Sequence, residues 1–196
     1  MKTHRGKLVF GLVISFLILG EYQSLGQEIK VPQEAQFPFL LKILTYDRAL
    51  KENAQDTLNL GLLYNPEDDS SVEDKDRVLE AFKQYRDKKV SGLSLEILPF
   101  DYSTFQNLPE LLPGKRIHVL IIATGNGDLD HEIIGLTRER KILSFSTSPE
   151  LVERGVSVGI DLVEDRMKIV INYEATKMEG SDFSARLLKI CRIVRE

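Results

Sequence analysis

Tryptophan is absent from this 196-residue chain, cysteine occurs once and histidine three times. Each shortage removes a class of protein. A single Cys191 cannot close an intramolecular disulfide, so no disulfide framework staples the fold. Beyond residue 26 only His118 and His131 accompany that cysteine, which leaves no Cys/His set at structural-zinc spacing. No Gly-x-Ser-x-Gly elbow occurs, and the hydrolase motif goes with it. The turn Gly125-Asn126-Gly127 is followed by no Lys-Ser or Lys-Thr and lacks the third glycine of a dinucleotide fingerprint. Strong basicity is missing too: the formal net charge is −4, whereas a nucleic-acid partner asks for a basic face.

What is present begins with a leader. Lys2, Arg5 and Lys7 precede an apolar run from Leu8 to Leu19, interrupted only by Gly11 and Ser15. Small residues follow at Ser24 and Gly26. That order predicts a cleavable secretory signal peptide over residues 1–26, cut before Gln27, and therefore a periplasmic protein. The apolar run is too short to span a bilayer comfortably, and no later stretch is apolar enough to do so. Cleavage removes three bases and one acid, so the remaining residues 27–196 carry a net charge of −6. Their length suits one α/β domain with a real core. Six acids and one base lie between Glu67 and Asp76, and four bases with no acid between Arg186 and Arg195. Both runs read as solvated helix faces.

Periodicity predicts alternating helices and strands. A helix is expected from Phe37 to Asn53, with Pro38 in its first turn and Phe37, Leu40, Leu41 and Leu44 inward. Strand one is Leu58 to Tyr64. A second helix opens at Ser70, where Ser70 and Glu73 have capping-box spacing. Strand two, Leu93 to Leu98, alternates, which means one wet face or an edge, and Pro99 at its end agrees. Strand three, Ile117 to Ala123, is apolar almost throughout and should be central. A short helix, Leu129 to Arg138, leads to strand four, Ile142 to Phe145. Val156 to Leu162 and Met167 to Ile171 then alternate around a short link, an antiparallel hairpin. A final helix is expected from Ser181-Asp182 to Ile193, with Phe183, Leu187, Ile190, Cys191 and Val194 on one stripe. The fold class is thus α/β: a mostly parallel sheet with order 2-1-3-4, helices on both faces and a hairpin near the C-terminus.

Chemistry is sparse. His118 falls inside the most buried strand and reads as a hydrogen-bonded core histidine. Asp128, Asp130, His131 and Glu132 point in different directions on one helix, and acids there complement the helix dipole without a metal. Ligands of parallel sheets sit at the carboxyl ends of strands, where strand order reverses. Asn65, Thr124 and Asn126 would line that crevice, although turn chemistry alone also explains them. No catalytic residue, metal or cofactor is implied.

Three segments carry a resemblance. Leu40-Leu41-Lys42-Ile43-Leu44-Thr45-Tyr46-Asp47-Arg48, Gly155-Val156-Ser157-Val158-Gly159-Ile160 with the hairpin and Ile171-Asn172 after it, and Phe183-Ser184-Ala185-Arg186-Leu187-Leu188-Lys189-Ile190 resemble the YfiR family. The similarity runs in order across residues 32–195. It implies a non-enzymatic periplasmic regulator that binds the periplasmic part of an inner-membrane diguanylate cyclase and restrains cyclic-di-GMP synthesis, and hence biofilm formation. Related domains serve as extracytoplasmic sensors of histidine kinases. The type member is a dimer with paired cysteines; this chain keeps only Cys191, so redox sensing is not implied. A homodimer is expected, with Asp47, Arg48, Arg186 and Lys189 as candidate partner contacts on the first and last helices. The competing expectation is a single-lobe small-ligand-binding protein, because the βα pattern also looks like half of an ABC solute-binding protein.

Overall fold

The computed structural model describes residues 31–124 and 130–195. Seven strands form one sheet in the order β2-β1-β3-β4-β5-β6-β7: β1 Thr57–Tyr64, β2 Ser94–Asp101, β3 Val119–Ile122, β4 Leu143–Ser146, β5 Val158–Val163, β6 Arg166–Asn172 and β7 Arg192–Val194. Every pair is parallel except β5 with β6. The expected order 2-1-3-4, the parallel majority and the hairpin are therefore present. The parallel strand β7 was not expected.

Helices cover both faces: α1 Gln33–Leu44, α2 Arg48–Asn53, α3 Asp69–Tyr85, α4 Leu108–Gly114, α5 Asp130–Arg140, α6 Glu150–Glu153, α7 Tyr173–Met178 and α8 Ala185–Leu188. Because side chains alternate along a strand, neighbours go to opposite cores. Leu58, Leu60 and Leu62 of β1 and Val119 and Ile121 of β3 join α1, α3 and Leu187 of α8. Leu63, Leu120 and Ile122 join α4, α5 and α6 on the other face. On the first face Phe37 meets Phe82 edge-on, with ring centroids 6.2 Å apart. On the second, a Cβ at Gly61 would stand 3.0 Å from Leu120 Cδ1, so the bare glycine lets that layer close.

The structure corrects four local expectations. The single helix Phe37–Asn53 is two, α1 and α2. The chain turns at Thr45, whose hydroxyl donates back to the Lys42 carbonyl, and restarts at Asp47, whose carboxylate accepts from Ala49 N–H. The helix also begins earlier than read, which leaves Pro38 inside it. The α3 cap is Asp68, not Ser70: Asp68 Oδ1 accepts from Ser71 N–H at 2.9 Å, and the Ser70 hydroxyl donates to the same carboxylate. An aspartate two residues ahead of the expected cap satisfies the open N–H groups first. Strand β2 runs on through Pro99, tolerable because β2 is an edge. The helix expected from Ser181 to Ile193 is only α8, one turn, followed by β7. The β-branched Ile193 and Val194 pair with β6, and this tertiary partner overrides the helical stripe. Ile190 is accordingly 60% exposed.

Glu164 and Asp165, both in the left-handed region at φ 50° and 58°, make the two-residue turn between β5 and β6. That geometry matches the strands' twist.

Candidate functional site

Strands β2 and β3 flank β1 on opposite sides, so the sheet changes direction between β1 and β3. Asn65 and Thr124 follow the carboxyl ends of these two strands, as expected; Asn126 lies outside the described residues. The two are held by separate positions of α3 rather than by each other. Asn65 N–H donates to Ser71 Oγ at 2.9 Å, and its side-chain oxygen accepts from Glu67 N–H. Thr124 donates to Asp74 Oδ2 through its hydroxyl at 2.6 Å and its backbone N–H at 3.3 Å.

Asp74 is the residue that sequence reasoning missed. It is 9% exposed. Besides Thr124 it accepts from the Gln33 amide of α1 at 2.5 Å and from the Thr147 hydroxyl after β4 at 3.1 Å. Gln36, 2% exposed, donates to the carbonyls of Val31 and Thr147. The switch-point crevice is thereby crossed by the protein's own polar groups. A signal existed: Ser71, Asp74, Val78 and Ala81 fall on one helical stripe, and all four are buried. Within the acidic run Glu67–Asp76, Asp74 alone carries this burial as a charged residue.

The start of α2 and the segment before α8, and not the first helix itself, meet on another surface. Asp47 is 5% exposed, and its Oδ1 also accepts from Asp182 N–H at 2.9 Å. Arg48 makes a two-pronged contact with the Asp182 carboxylate, both distances 2.9 Å. This holds the Asp182 carboxyl below its usual range and the guanidinium above its own. Asp47 also bridges Phe183. Arg186 and Lys189 sit on and just after α8, exposed, with no ion pair among the described residues. The four candidate partner residues thus occupy adjoining segments, with Asp47 committed to the fold and Arg186 and Lys189 open.

His118 lies just before β3 rather than within it. Its Nδ1 accepts from Asn59 N–H at 3.1 Å, so the neutral ring carries its proton on Nε2. Burial pushes its pKa down. Cys191 lies between α8 and β7. Its thiol donates to the Leu187 carbonyl and is pushed up to about 11 by burial. Among the described residues no group of three or more His, Cys, Asp or Glu could hold a metal, and no helix is long and apolar enough to cross a membrane.

An open, mostly parallel α/β sheet with a C-terminal hairpin is a fold of binding and regulatory domains as well as enzymes. A family model described as YfiR/HmsC-like matches residues 33–192, and the chain belongs to that family. No curated protein matches it. Among solved structures it is similar to an ABC domain in complex with L-Trp from Streptococcus pneumoniae, at 13% identity and a TM-score of 0.58, covering 83% of this chain and 60% of that one. A conserved domain protein from Vibrio cholerae O1 biovar El Tor gives 14% identity and 0.58, covering 84% and 60%. A ligand-free, open substrate-binding protein with adhesive properties from Clostridium difficile gives 19% and 0.50, covering 74% and 57%. The chain spans about three fifths of the length of these structures. At such identities the likeness concerns the fold.

Proposed function

We propose that this protein is a non-enzymatic periplasmic regulator that binds the extracytoplasmic part of an inner-membrane signalling protein, a diguanylate cyclase, and restrains it. Membership of the YfiR/HmsC-like family over residues 33–192 carries this reading. The surface formed by the start of α2 and the α8 segment supports a place for the contact. Asp47 and the Arg48–Asp182 pair lock the two segments together. Arg186 and Lys189 remain as exposed cations beside them. Partner binding through these two weakens with added salt, because exposed charges are screened within about 10 Å at 0.1 M.

Deleting the gene should raise cellular cyclic-di-GMP and biofilm formation. The double substitution Arg186→Glu/Lys189→Glu should do the same while the purified protein melts as the parent does. An unchanged cyclic-di-GMP level in the deletion strain, beside an intact cyclase, overturns the regulatory reading. The second reading, a small-ligand-binding protein, draws on the likeness to the L-Trp-bound domain. At the switch point it must contend with a crevice already crossed by Asp74 and its donors.

A further inference from the structure

Four helices end in the same way. After α4, α5, α6 and α7 the chain enters the left-handed region for one residue: Arg116 (φ 50°), Lys141 (φ 56°), Gly155 (φ 115°) and Gly180 (φ 82°). In each case the next N–H donates back to a carbonyl five residues earlier, Ile117 to Leu112, Ile142 to Thr137, Val156 to Leu151 and Ser181 to Thr176, at 2.9–3.0 Å. Glycine takes this cap position at the least cost, since a Cβ is disfavoured there. Two of the four caps nonetheless keep a long basic side chain. The helix dipole favours a cation anywhere in the last turn. It does not ask for one at the left-handed residue. The other left-handed residues with a Cβ, Ser91, Glu164 and Asp165, belong to tight turns between paired residues.

Arg116 and Lys141 line one cavity of about 270 Å³ at the amino ends of β3 and β4, with Arg140 and His118. Neither Arg116 nor Lys141 makes an ion pair among the described residues. Arg116 reaches only the neutral Gln55 side chain, at 3.4 Å, and Lys141 donates to the Met178 carbonyl at 2.6 Å. The ion pair of Arg140 is with its chain neighbour Glu139. Two carboxylates also line the cavity: Asp47, whose Oδ1 accepts from the Ala49 and Asp182 N–H groups, and Glu179, which accepts from four donors. His118 adds a neutral Nε2–H donor, its Nδ1 being occupied. Arg116 and His118 also line an adjoining cleft of about 400 Å³ with the uncharged Asn53, Gln55, Thr57 and Asn59; its one acid, Asp56, is exposed. The Asn59 side-chain oxygen there is buried without a hydrogen-bond partner.

We infer that this cavity is an anion site, built by Arg116, Arg140, Lys141 and His118 for the phosphate of a small phosphorylated molecule whose hydroxyl-bearing part lies in the adjoining cleft. Guanidinium and ammonium groups from separate elements suit a doubly charged phosphate, and amide side chains suit hydroxyls. The same phosphate chemistry is available free in solution and as a lipid headgroup.

The test is calorimetric titration of the full exported chain with inorganic phosphate and glycerol 3-phosphate at low salt, with glycerol as the uncharged control and vesicle sedimentation with phosphatidic acid in phosphatidylcholine. Saturable binding of the phosphorylated probes and not of glycerol is expected, with glycerol 3-phosphate the tighter. Vesicle binding without binding of either soluble probe assigns the site to a headgroup and overturns the small-molecule form. The double variant Arg116→Gly/Lys141→Gly should lose binding at least tenfold while its melting temperature holds or rises, because glycine relaxes both caps. Arg140→Gln, which keeps a side chain of similar length at the last position of α5, should weaken binding several-fold with unchanged melting. Absence of saturable binding to any probe, or binding that survives both variants, overturns the inference.

Discussion

Two buried carboxylates mark the two ends of the sheet, and they are built alike. Asp74, at the carboxyl end, accepts from one backbone N–H and three side-chain donors. Glu179, at the amino end, also accepts from one N–H and three side-chain donors: Ser144 N–H and the hydroxyls of Thr137, Ser144 and Ser157. Neither has a cation for a partner among the described residues. They differ in what surrounds them. The donors of Asp74 come from α1 and from segments after β3 and β4, so its network stretches over the switch point and occupies it. Those of Glu179 come from α5, β4 and the entry to β5, and its network is sunk at 2% exposure. Beyond it the amino end gathers Arg116, Arg140 and Lys141 around one cavity. At the end where parallel sheets ordinarily take ligands the described polar groups bond one another, whereas the opposite end gathers cations.

The largest effect should come from Glu179→Ala, which strands four buried donors at once and should cost about 3 kcal/mol in chemical denaturation. Glu179→Gln keeps an acceptor for Ser144 N–H and should cost much less. Burial holds the Glu179 pKa above its ordinary 4.5, against the opposing pull of its hydrogen bonds. The folded state therefore binds this proton more tightly than the unfolded chain. That contribution is complete below about pH 4.5 and fades as pH rises through the raised folded value. The stability of the parent relative to Glu179→Gln should accordingly fall as pH climbs from the ordinary value; a difference that grows with pH would contradict burial as the cause.

Asp74→Ala should cost somewhat less, about 2 kcal/mol, because its site stands nearer to water and its donors can turn outward. Asp74→Asn separates charge from hydrogen bonding. If it stays close to the parent, the crevice is held by donor–acceptor geometry alone. The smallest effect is expected at Cys191. With its thiol at about 11, alkylation at pH 8 should be slow in the folded protein and fast in denaturant. Cys191→Ala should cost about 1 kcal/mol and leave the oligomeric state unchanged. A reducing-agent-sensitive dimer lost in Cys191→Ala would reverse that expectation.

Much of the architecture was legible because burial imposes period. Alternation in β2, β5 and β6 and the unbroken apolar run of β3 each report which faces a strand buries, and strand order follows from right-handed crossovers between short connections. The family-like segments were legible for the same reason, since they are core stripes with fixed flanking polar residues. What failed was local and polar. Ile190, Cys191 and Val194 fit a helical stripe, yet the exposed edge of β6 offered Ile193 and Val194 a strand to pair with. Phe37 to Asn53 fits one helix, but Asp47 finds Asp182 N–H, 135 residues away, and breaks it. Asp74 and Glu179 look like surface acids in a sequence with no shortage of them. By itself the sequence determined the layers, the parallel majority and the hairpin, because apolar period is a property of neighbours along the chain. Only the tertiary structure decided which acids are buried, what bonds them and where the cations gather. Hydrogen-bond partners and uncompensated charge are set by residues far apart in sequence, and no local pattern records them.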